Sequence, residues 1–333
     1  MAELSIHYLN HDDVAAVALS DEEILAAVEA ALLAQGRGEA TLEPRVHLVP
    51  EKGYPGHFNV LRGYLRPLGV AGVKVVGDFY RNYERGLPSE LALLTLLDPA
   101  TGAPLAVIDV SDITDMRTGA VTAIGAARLA RRNSKVLGHI GARGTSYWNV
   151  RLLDSLFDFA EIRVHSRRVE SRNAFAARLT RDLRKPITVT EDWESCVRGA
   201  DIVVEASRLA SPAPLLQTQW IARGACVIPY GTMSAVELTL TDIMDKIVVD
   251  DWGQASAGPF GSLRAHVDSG RLSQRNLHAE LCEIVAGVKP GRESDAETNL
   301  FWHRGLALSD IAVGVAMLDK ARRNGIGQQL RYR

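Results

Sequence analysis

The second half of the chain alternates short apolar runs, rich in β-branched residues, with segments long enough to form helices. The runs occupy residues 136–140, 162–165, 202–206, 225–229 and 247–249. Strands that alternate with helices build βαβ units, whose strands lie parallel and whose crossovers are right-handed. This half of the chain is therefore predicted to form an α/β fold with a doubly wound parallel sheet.

A glycine-rich turn with Gly138, Gly141 and Gly144 ends the first of these runs. A dinucleotide-binding fold needs glycine here, because the backbone must turn tightly and let a pyrophosphate approach the next helix. Gly141 fits the first glycine of the G-x-G-x-x-G pattern and Ser146 the small third position, whereas Arg143 occupies the second. The placement between strand and helix favours a dinucleotide site over a plain tight turn.

The end of the second run bears on which nicotinamide cofactor fits. An acidic residue there would bond the adenine ribose of NAD, whereas basic residues accommodate the 2′-phosphate of NADP. The sequence continues with Ser166, Arg167 and Arg168 and has no acid at the tip. NADP(H) is therefore favoured and NAD(H) stays possible; a solvated basic loop near Glu170 is the alternative interpretation.

The first 115 residues show one capped helix, with Ser20 and Glu23 as a capping box, followed by short β-rich runs. The runs at 46–49, 58–64, 72–76, 91–97 and 105–110 are separated by turns and predict an antiparallel α+β unit. Because 333 residues exceed one ordinary core, we expect two domains. The predicted domains are residues 1–115 joined by 315–333, and residues 116–314.

Composition and charge exclude several classes of protein. A formal net charge of −2 gives no basic field that would recruit nucleic acid or an acidic membrane surface. Cys196, Cys226 and Cys282 are too far apart for a zinc motif, and His7 with His11 lacks the glutamate of a zinc helix. No apolar run reaches the roughly 18 residues of a membrane span, and no signal peptide is visible. We therefore expect a cytoplasmic globular protein without a metal.

Seven short motifs then occur in a specific order. They are Lys74 with Asn82 and GLPS at 86–89, LDPATG at 97–102, PLAVID at 104–109, DMRTGA at 115–120, ELCEIVAG at 280–287, KPGR at 289–292 and GLALSD at 305–310. In order and spacing the sequence resembles the ornithine cyclodeaminase/μ-crystallin family over nearly the whole chain. The resemblance implies a homodimer with a Rossmann domain and an N-terminal substrate and dimerisation domain. The family includes cyclodeaminases, alanine dehydrogenases, ketimine and iminosuccinate reductases, and opine-type synthases.

The resemblance also implies the site residues. Arg45, Lys74 and Arg117 fall at the positions of the cations that bind the substrate carboxylate, and Lys74 and Arg117 are the expected catalytic pair. Arginine suits bidentate capture of a carboxylate, whereas the pKa of lysine moves readily on burial and suits proton work. Lys74 interrupts an apolar run, where an unpaired charge would be costly, so the position itself hints at function. His303 and Arg304 are further substrate-binding candidates; the alternative is that Trp302 packs at a seam between the domains and Arg304 pairs with Glu297 or Asp310.

The expected cofactor-binding residues follow the strands of the parallel sheet and open the long helix. They are Thr118, Gly141, Ala142, Arg143, Gly144, Thr145, Ser146, Ser166, Arg167, Arg168, Ala206, Ser207, Tyr230 and Gly231.

One departure from the family pattern bears on the reaction. Cyclodeaminases of the family carry an aspartate before a Glu-Leu pair, and counting back from Glu237 places Gly231 at that position. Without this carboxylate, deamination with ring closure loses its general base. We therefore expect an NAD(P)H-dependent reductase that converts an imino acid into an L-amino acid and can run in reverse as a dehydrogenase. The substrate would be an iminosuccinate-like dicarboxylic imine or a cyclic ketimine; a cyclodeaminase or an NADPH-binding carrier are the alternatives.

Overall fold

A computed structural model describes residues 3–51, 54, 56–79 and 81–333. The strands are β1 (Ser5–Leu9), β2 (Ala40–Leu48), β3 (Gly56–Leu65), β4 (Val70–Phe79), β5 (Glu90–Leu97), β6 (Pro104–Asp109), β7 (Val136–Ile140), β8 (Glu161–His165), β9 (Thr188–Val189), β10 (Ile202–Glu205), β11 (Cys226–Pro229), β12 (Lys246–Val249), β13 (Ala279–Glu280), β14 (Asn299–Trp302) and β15 (Gln328–Arg331). The α-helices are α1 (His11–Val17), α2 (Asp21–Gly36), α3 (Ser111–Leu129), α4 (Ser146–Phe157), α5 (Val169–Leu183), α6 (Trp193–Val197), α7 (Trp252–Ala255), α8 (Arg264–Asp268), α9 (Leu281–Val285) and α10 (Ala307–Asn324).

The chain divides into two compact units, Met1–Arg117 with Leu306–Arg333, and Thr118–Gly305. The first crossing lies within α3, close to the boundary expected at residue 115. The second crossing comes earlier than the expected residue 315. This is because α10 buries apolar side chains from its first turn and packs on strands of the first unit.

The first unit is a seven-stranded sheet of order β15-β1-β6-β5-β4-β3-β2, covered on one face by α1, α2 and α10. Every neighbouring pair is antiparallel except β1 and β6. The helix α2 starts at the predicted capping box, in which Ser20 and Glu23 bond each other's backbone N–H groups. The sequence pattern missed β1 and β15; all four residues of β15 are exposed, so they show no apolar alternation.

The second unit is an eight-stranded parallel sheet of order β13-β12-β14-β11-β10-β7-β8-β9. The chain winds from β7 outward to β9 and then returns to place β10 on the other side of β7. This reversal creates a crevice at the carboxyl ends of β7 and β10, where ligands bind in open α/β sheets. The predicted fold class, a Rossmann-type doubly wound sheet with an α+β N-terminal domain, is confirmed.

Among the described residues, no helix combines the length and the apolar character needed to cross a bilayer.

Candidate active site

Lys74 lies in the middle of an interior strand and is almost completely buried. Side chains alternate along β4, so that Lys74 shares the helix-covered face with Gly72 and Val76, while Val75 lies on the exposed face. Lys74 is only 1% exposed, and its neighbours across the sheet are Leu61 and Leu94. A lysine in these surroundings cannot carry its charge in water, so partners within the fold must hold the ammonium group.

One carboxylate oxygen holds two of the predicted catalytic cations. Lys74 Nζ donates to Asp310 Oδ1 at 2.7 Å, and Arg117 Nε donates to the same oxygen at 3.0 Å. Lys74 Nζ also donates to Thr114 Oγ1 at 2.6 Å. Asp310 is fully buried in the first turn of α10. The structure therefore brings Lys74 and Arg117 together on an acid that sequence reasoning missed; the signal available was an aspartate within the apolar motif GLALSD.

Two groups of this cluster titrate near neutral pH. Burial lowers the pKa of Lys74 to about 8, with the Arg117 charge adding to the decrease and Asp310 opposing it. Burial, with the neighbouring charges of Glu90 and Asp112, raises the pKa of the half-buried Asp115 carboxyl to about 7. Groups that exchange protons near the working pH are those that general acid–base chemistry uses.

Arg45, the third predicted cation, lies at an irregularity of β2. The register between β2 and β3 shifts between Glu43 and Val46, which marks a β-bulge. Val46 is exposed on the outer face, so alternation places half-buried Arg45 on the face that carries Lys74. A bulge is a common way to redirect a functional side chain.

In the second unit, the predicted glycine turn has the geometry that a dinucleotide requires. Gly141 has φ +120°, and a Cβ atom there would lie 2.8 Å from the carbonyl oxygen of Ala206. Gly144 also adopts a positive φ, and Ser146 Oγ donates to the carbonyl oxygen of Arg143 at 2.9 Å. Only glycine fits at 141, so the backbone is open to close approach by a ligand. The turn precedes α4, and the N-terminus of a helix in this position is able to bind a pyrophosphate.

Tyr230, expected near the cofactor, connects the glycine turn to His303, which directly follows β14. Its hydroxyl lies 2.6 Å from Thr145 Oγ1 and accepts a hydrogen bond from Asn149 Nδ2. Its ring stacks on that of His303 at a centroid distance of 4.4 Å. His303 is completely buried, and its Nε2 lies 3.0 Å from Thr122 Oγ1. Thr122 and Asn149 were not identified from sequence as site residues, because nothing in the local pattern distinguishes either one from the other polar residues of α3 and α4.

Glu205, at the end of β10, is a second buried acid that sequence reasoning missed. Its carboxylate accepts hydrogen bonds from Ser207 N at 2.8 Å, Ser262 Oγ at 2.6 Å and Gly231 N at 3.3 Å. Burial raises its pKa. A Cβ atom on Gly231 would lie 2.6 Å from one carboxylate oxygen and 2.8 Å from the other. Position 231 therefore has no room for a side chain beside Glu205.

The predicted 2′-phosphate site follows β8. Ser166 is half-buried, whereas Arg167 and Arg168 are exposed, with Arg168 as the N-cap residue of α5. Arg143 Nη2 donates to Ser171 Oγ at 3.4 Å, which connects the glycine turn to the start of α5. An open cleft of about 430 Å³ lies between these segments, lined among others by Ala142 and Gly144.

The remaining candidates of the second unit are buried to different degrees. Arg304 Nη1 donates to the carbonyl oxygen of Ala257 at 2.5 Å, and burial lowers the pKa of Arg304. The backbone N–H of Arg304 donates to Asp250 at 2.8 Å. Thr118 is buried at the start of the unit, and Trp302 belongs to the core.

The histidine pair near the N-terminus has structural partners. His7 Nε2 donates to the carbonyl oxygen of Ile326 at 2.8 Å, and Gln329 donates to His7 Nδ1 at 2.7 Å. Within the described ranges, no group of three His, Cys, Asp or Glu side chains could hold a metal ion.

Comparison with known proteins decides the family. The model of the ornithine cyclodeaminase/mu-crystallin family matches residues 7–325. The chain belongs to this family. An alanine dehydrogenase of Archaeoglobus fulgidus is 32% identical over 322 residues, which cover 94% of this chain and 95% of that protein.

Three solved structures are similar to this chain over nearly its whole length. An archaeal alanine dehydrogenase, a dimer with bound NAD, has a TM-score of 0.91 at 30% identity, covering 99% of this chain and 100% of the other. The pyrroline-2-carboxylate reductase of Thermococcus litoralis, with NADH and L-proline, has a TM-score of 0.90 at 28% identity, with coverages of 97% and 99%. The iminosuccinate reductase of Paracoccus denitrificans, with NAD+, has a TM-score of 0.87 at 25% identity, with coverages of 98% and 99%.

Proposed function

We propose that this family member is an NAD(P)H-dependent reductase that converts an imino acid into an L-amino acid and also runs in reverse as a dehydrogenase. The observation that carries the proposal is the buried cluster in which Asp310 holds both Lys74 and Arg117. The solved relatives bind nicotinamide nucleotides and, in one case, an amino acid. Reduction of a C=N bond beside a carboxylate needs a cation for the carboxylate and a proton for the nitrogen.

The cluster supports both requirements. The guanidinium groups of Arg117 and Arg45 would bind the α-carboxylate, because their planar fork matches its two oxygens. Lys74, with its pKa lowered to about 8 by burial, would deliver a proton to the imine nitrogen at neutral pH. Asp310 would orient both cations and keep Lys74 protonated. In the reverse direction the neutral lysine would take the proton back.

The turn at Gly141 supports a dinucleotide site, because its positive φ produces the tight turn between β7 and the N-terminus of α4 that such a site uses. When bound, the reduced nicotinamide supplies the hydride. The turn of residues 141–146 would hold the pyrophosphate, and Thr118 and Ser207 would contact the rest of the cofactor, with Tyr230 behind the turn. Arg167 and Arg168, with Ser166 and Arg143 nearby, support a preference for NADP(H) over NAD(H).

The space around Gly231 supports reduction over ammonia elimination with ring closure. An aspartate at 231, as in the cyclodeaminases of the family, would collide with the Glu205 carboxylate. The Glu205 carboxylate accepts hydrogen bonds from Ser207 and Ser262, so it is not available as the general base that deamination would need.

The substrate would be either a cyclic ketimine with one carboxylate or an iminosuccinate-like dicarboxylic imine. The dicarboxylic substrate would need a second cationic contact, for which His303 and Arg304 are the candidates. His303 is buried against Thr122, and Arg304 bonds Ala257, so this alternative requires one of them to exchange a partner for the substrate.

We further propose a homodimer through the exposed face of the first sheet. Val46, Val60, Val75 and Leu93 are successive partners across four strands. Three of these side chains are 40–50% exposed. Together the four residues form an apolar stripe on the face of the sheet opposite Lys74. Contiguous apolar surface of this kind marks an interaction site. A related alanine dehydrogenase is a dimer, so a second copy is the occupant proposed here.

A decrease in reduced-nicotinamide absorbance tests the function. NADPH and NADH are each offered with pyrroline-2-carboxylate, piperideine-2-carboxylate, and ammonia with pyruvate, oxaloacetate or glyoxylate. We expect oxidation with one class of imine and its loss in Lys74→Met, which keeps the buried stem and still binds cofactor. Turnover by Lys74→Met equal to that of the unmodified enzyme would contradict the roles assigned here. A flat trace with saturable NADPH binding would instead indicate a carrier.

A further inference from the structure

A chain of buried and half-buried polar groups lies beneath the glycine turn. It runs from the carbonyl oxygen of Gly141 through His139, Asn149 and Tyr230 to the hydroxyl of Thr145. His139 and Asn149 are both completely buried. Buried polar groups must match donor to acceptor at each contact, so the direction of every hydrogen bond in this chain can be worked out.

The direction is set at His139. Burial lowers the pKa of His139 to about 4, so the ring is neutral at physiological pH and carries one proton. Its Nδ1 lies 3.2 Å from the carbonyl oxygen of Gly141, which can only accept. Nδ1 therefore carries the proton, and Nε2 is an acceptor.

The acceptor at Nε2 fixes the amide of Asn149. The Asn149 atom 3.2 Å from His139 Nε2 must be the NH2 group, because the amide oxygen would face a lone pair. One proton of this NH2 group goes to His139, and the other goes to the hydroxyl oxygen of Tyr230. Tyr230 therefore accepts from Asn149.

Tyr230 has one proton to donate, and Thr145 Oγ1 lies 2.6 Å away. A phenol is a stronger donor and a weaker acceptor than an aliphatic alcohol, so the hydrogen bond runs from Tyr230 to Thr145. Thr145 is the N-cap residue of α4, yet its side chain makes no capping hydrogen bond. Since Thr145 Oγ1 accepts from Tyr230, its own proton is directed elsewhere.

We propose that Tyr230 is a positioning residue that turns Thr145 into a fixed hydrogen-bond donor toward a phosphate of the bound dinucleotide. The inference rests on the proposed function, in which the cofactor lies at the turn of residues 141–146. The stacked ring of His303, 4.4 Å away, holds the Tyr230 ring in the orientation that the hydrogen bond needs. A donor whose proton is already directed loses less entropy on binding an anion than a freely rotating hydroxyl.

The test is cofactor affinity in Tyr230→Phe, measured by titration of NADPH and of NADH with fluorescence detection. Tyr230→Phe removes one hydroxyl and keeps the stacked ring. We expect the Kd of both nucleotides to rise about tenfold, the magnitude of one good hydrogen bond, while kcat at saturating cofactor changes less than about twofold. Tyr64→Phe, a half-buried tyrosine of the first unit, is the matched control and should leave Kd unchanged.

A double-mutant cycle separates positioning from a structural role. Thr145→Val should raise Kd by a similar factor, and the double variant should be no worse than Thr145→Val alone, because Tyr230 acts through Thr145. Additive effects of the two substitutions, or a Kd in Tyr230→Phe equal to that of the unmodified enzyme, would overturn the inference. Failure of the unmodified enzyme to bind either nucleotide would overturn the proposed function, and this inference with it.

Discussion

Lys74 and Asp310 form a buried ion pair that joins the middle of β4 to the first turn of α10, with Nζ and Oδ1 2.7 Å apart. The side chains are 1% and 0% exposed, respectively. Neither charge could be left alone at this depth, because removing one partner of a buried pair costs on the order of 3–5 kcal/mol. The pair therefore couples the charge state of the proposed proton donor to the position of the C-terminal helix.

Asp310→Asn should shift the pH dependence of imine reduction. The carboxylate raises the pKa of Lys74, whereas burial and Arg117 lower it. Without the Asp310 carboxylate the pKa of Lys74 falls below about 8, so Lys74 loses its proton at a lower pH. The basic limb of kcat/KM against pH should move to lower pH, and activity at pH 8 should fall roughly tenfold for each unit that the pKa falls. Asp319→Asn, exposed on the same helix, is the control; an unmoved basic limb in Asp310→Asn would contradict the assignment.

Gly231→Ala should destabilise the second unit and weaken cofactor binding. The new Cβ atom would lie 2.6 Å from a Glu205 oxygen and 2.7 Å from the carbonyl oxygen of Ser207, and the latter is backbone that cannot simply rotate away. We expect a loss of about 1–3 kcal/mol in the free energy of unfolding, measured by denaturant titration. Gly77→Ala, whose Cβ would meet its nearest neighbour at 3.4 Å, should cost much less. Equal free energies of unfolding for the two variants would show that Glu205 and Ser207 leave room for a Cβ atom at position 231.

Arg167→Ala combined with Arg168→Ala should change the cofactor preference. If these side chains bind the 2′-phosphate, KM for NADPH should rise roughly ten- to a hundredfold, since hydrogen bonds to charged groups are the stronger ones. KM for NADH should change little. Arg322→Ala, exposed on α10, controls for the general loss of positive charge. A parallel rise in both KM values would refute a 2′-phosphate site here.

Leu93→Asp should dissociate the proposed dimer. Leu93 is 50% exposed at the β5 end of the apolar stripe, so its replacement by aspartate would bury an unpaired carboxylate in the interface. Light scattering after size exclusion should give a dimer mass for the unmodified enzyme and a monomer mass for the variant. Leu156→Asp, at a similarly exposed leucine of α4, should remain dimeric. A monomeric unmodified enzyme, or a dimeric Leu93→Asp, would exclude this face.

Local sequence patterns were sufficient for most of the elements that position the site. The β7 strand, the glycine turn and the start of α4 follow from a short apolar run, φ requirements and helix periodicity, all of which are encoded within a few residues. Lys74 was identified from the family resemblance, and its position as a charge within an apolar run supported the assignment. In contrast, β14 was missed, because its four residues are too few to show a pattern and its neighbours β11 and β12 are distant in sequence.

The buried acids of the site could not be predicted from spacing. Asp310 and Lys74 are 236 residues apart, and Glu205 meets Ser262 across 57 residues, so each partnership exists only after the chain has folded. Whether a buried carboxylate holds cations, as Asp310 does, or backbone N–H groups, as Glu205 does, depends on these distant contacts. The proposed positioning role of Tyr230 could not be predicted either, because it depends on contacts with Asn149 and, through it, with His139.

The most direct test of imine reduction by this enzyme follows the transferred hydride. The enzyme is incubated with NADPH or NADH carrying deuterium at the transferred position of C4 and with the imine that it accepts, and the amino acid product is analysed by mass spectrometry. We expect one deuterium at the α-carbon and one cofactor oxidised for each amino acid formed. An unlabelled product, or ammonia released without net cofactor oxidation, would contradict it.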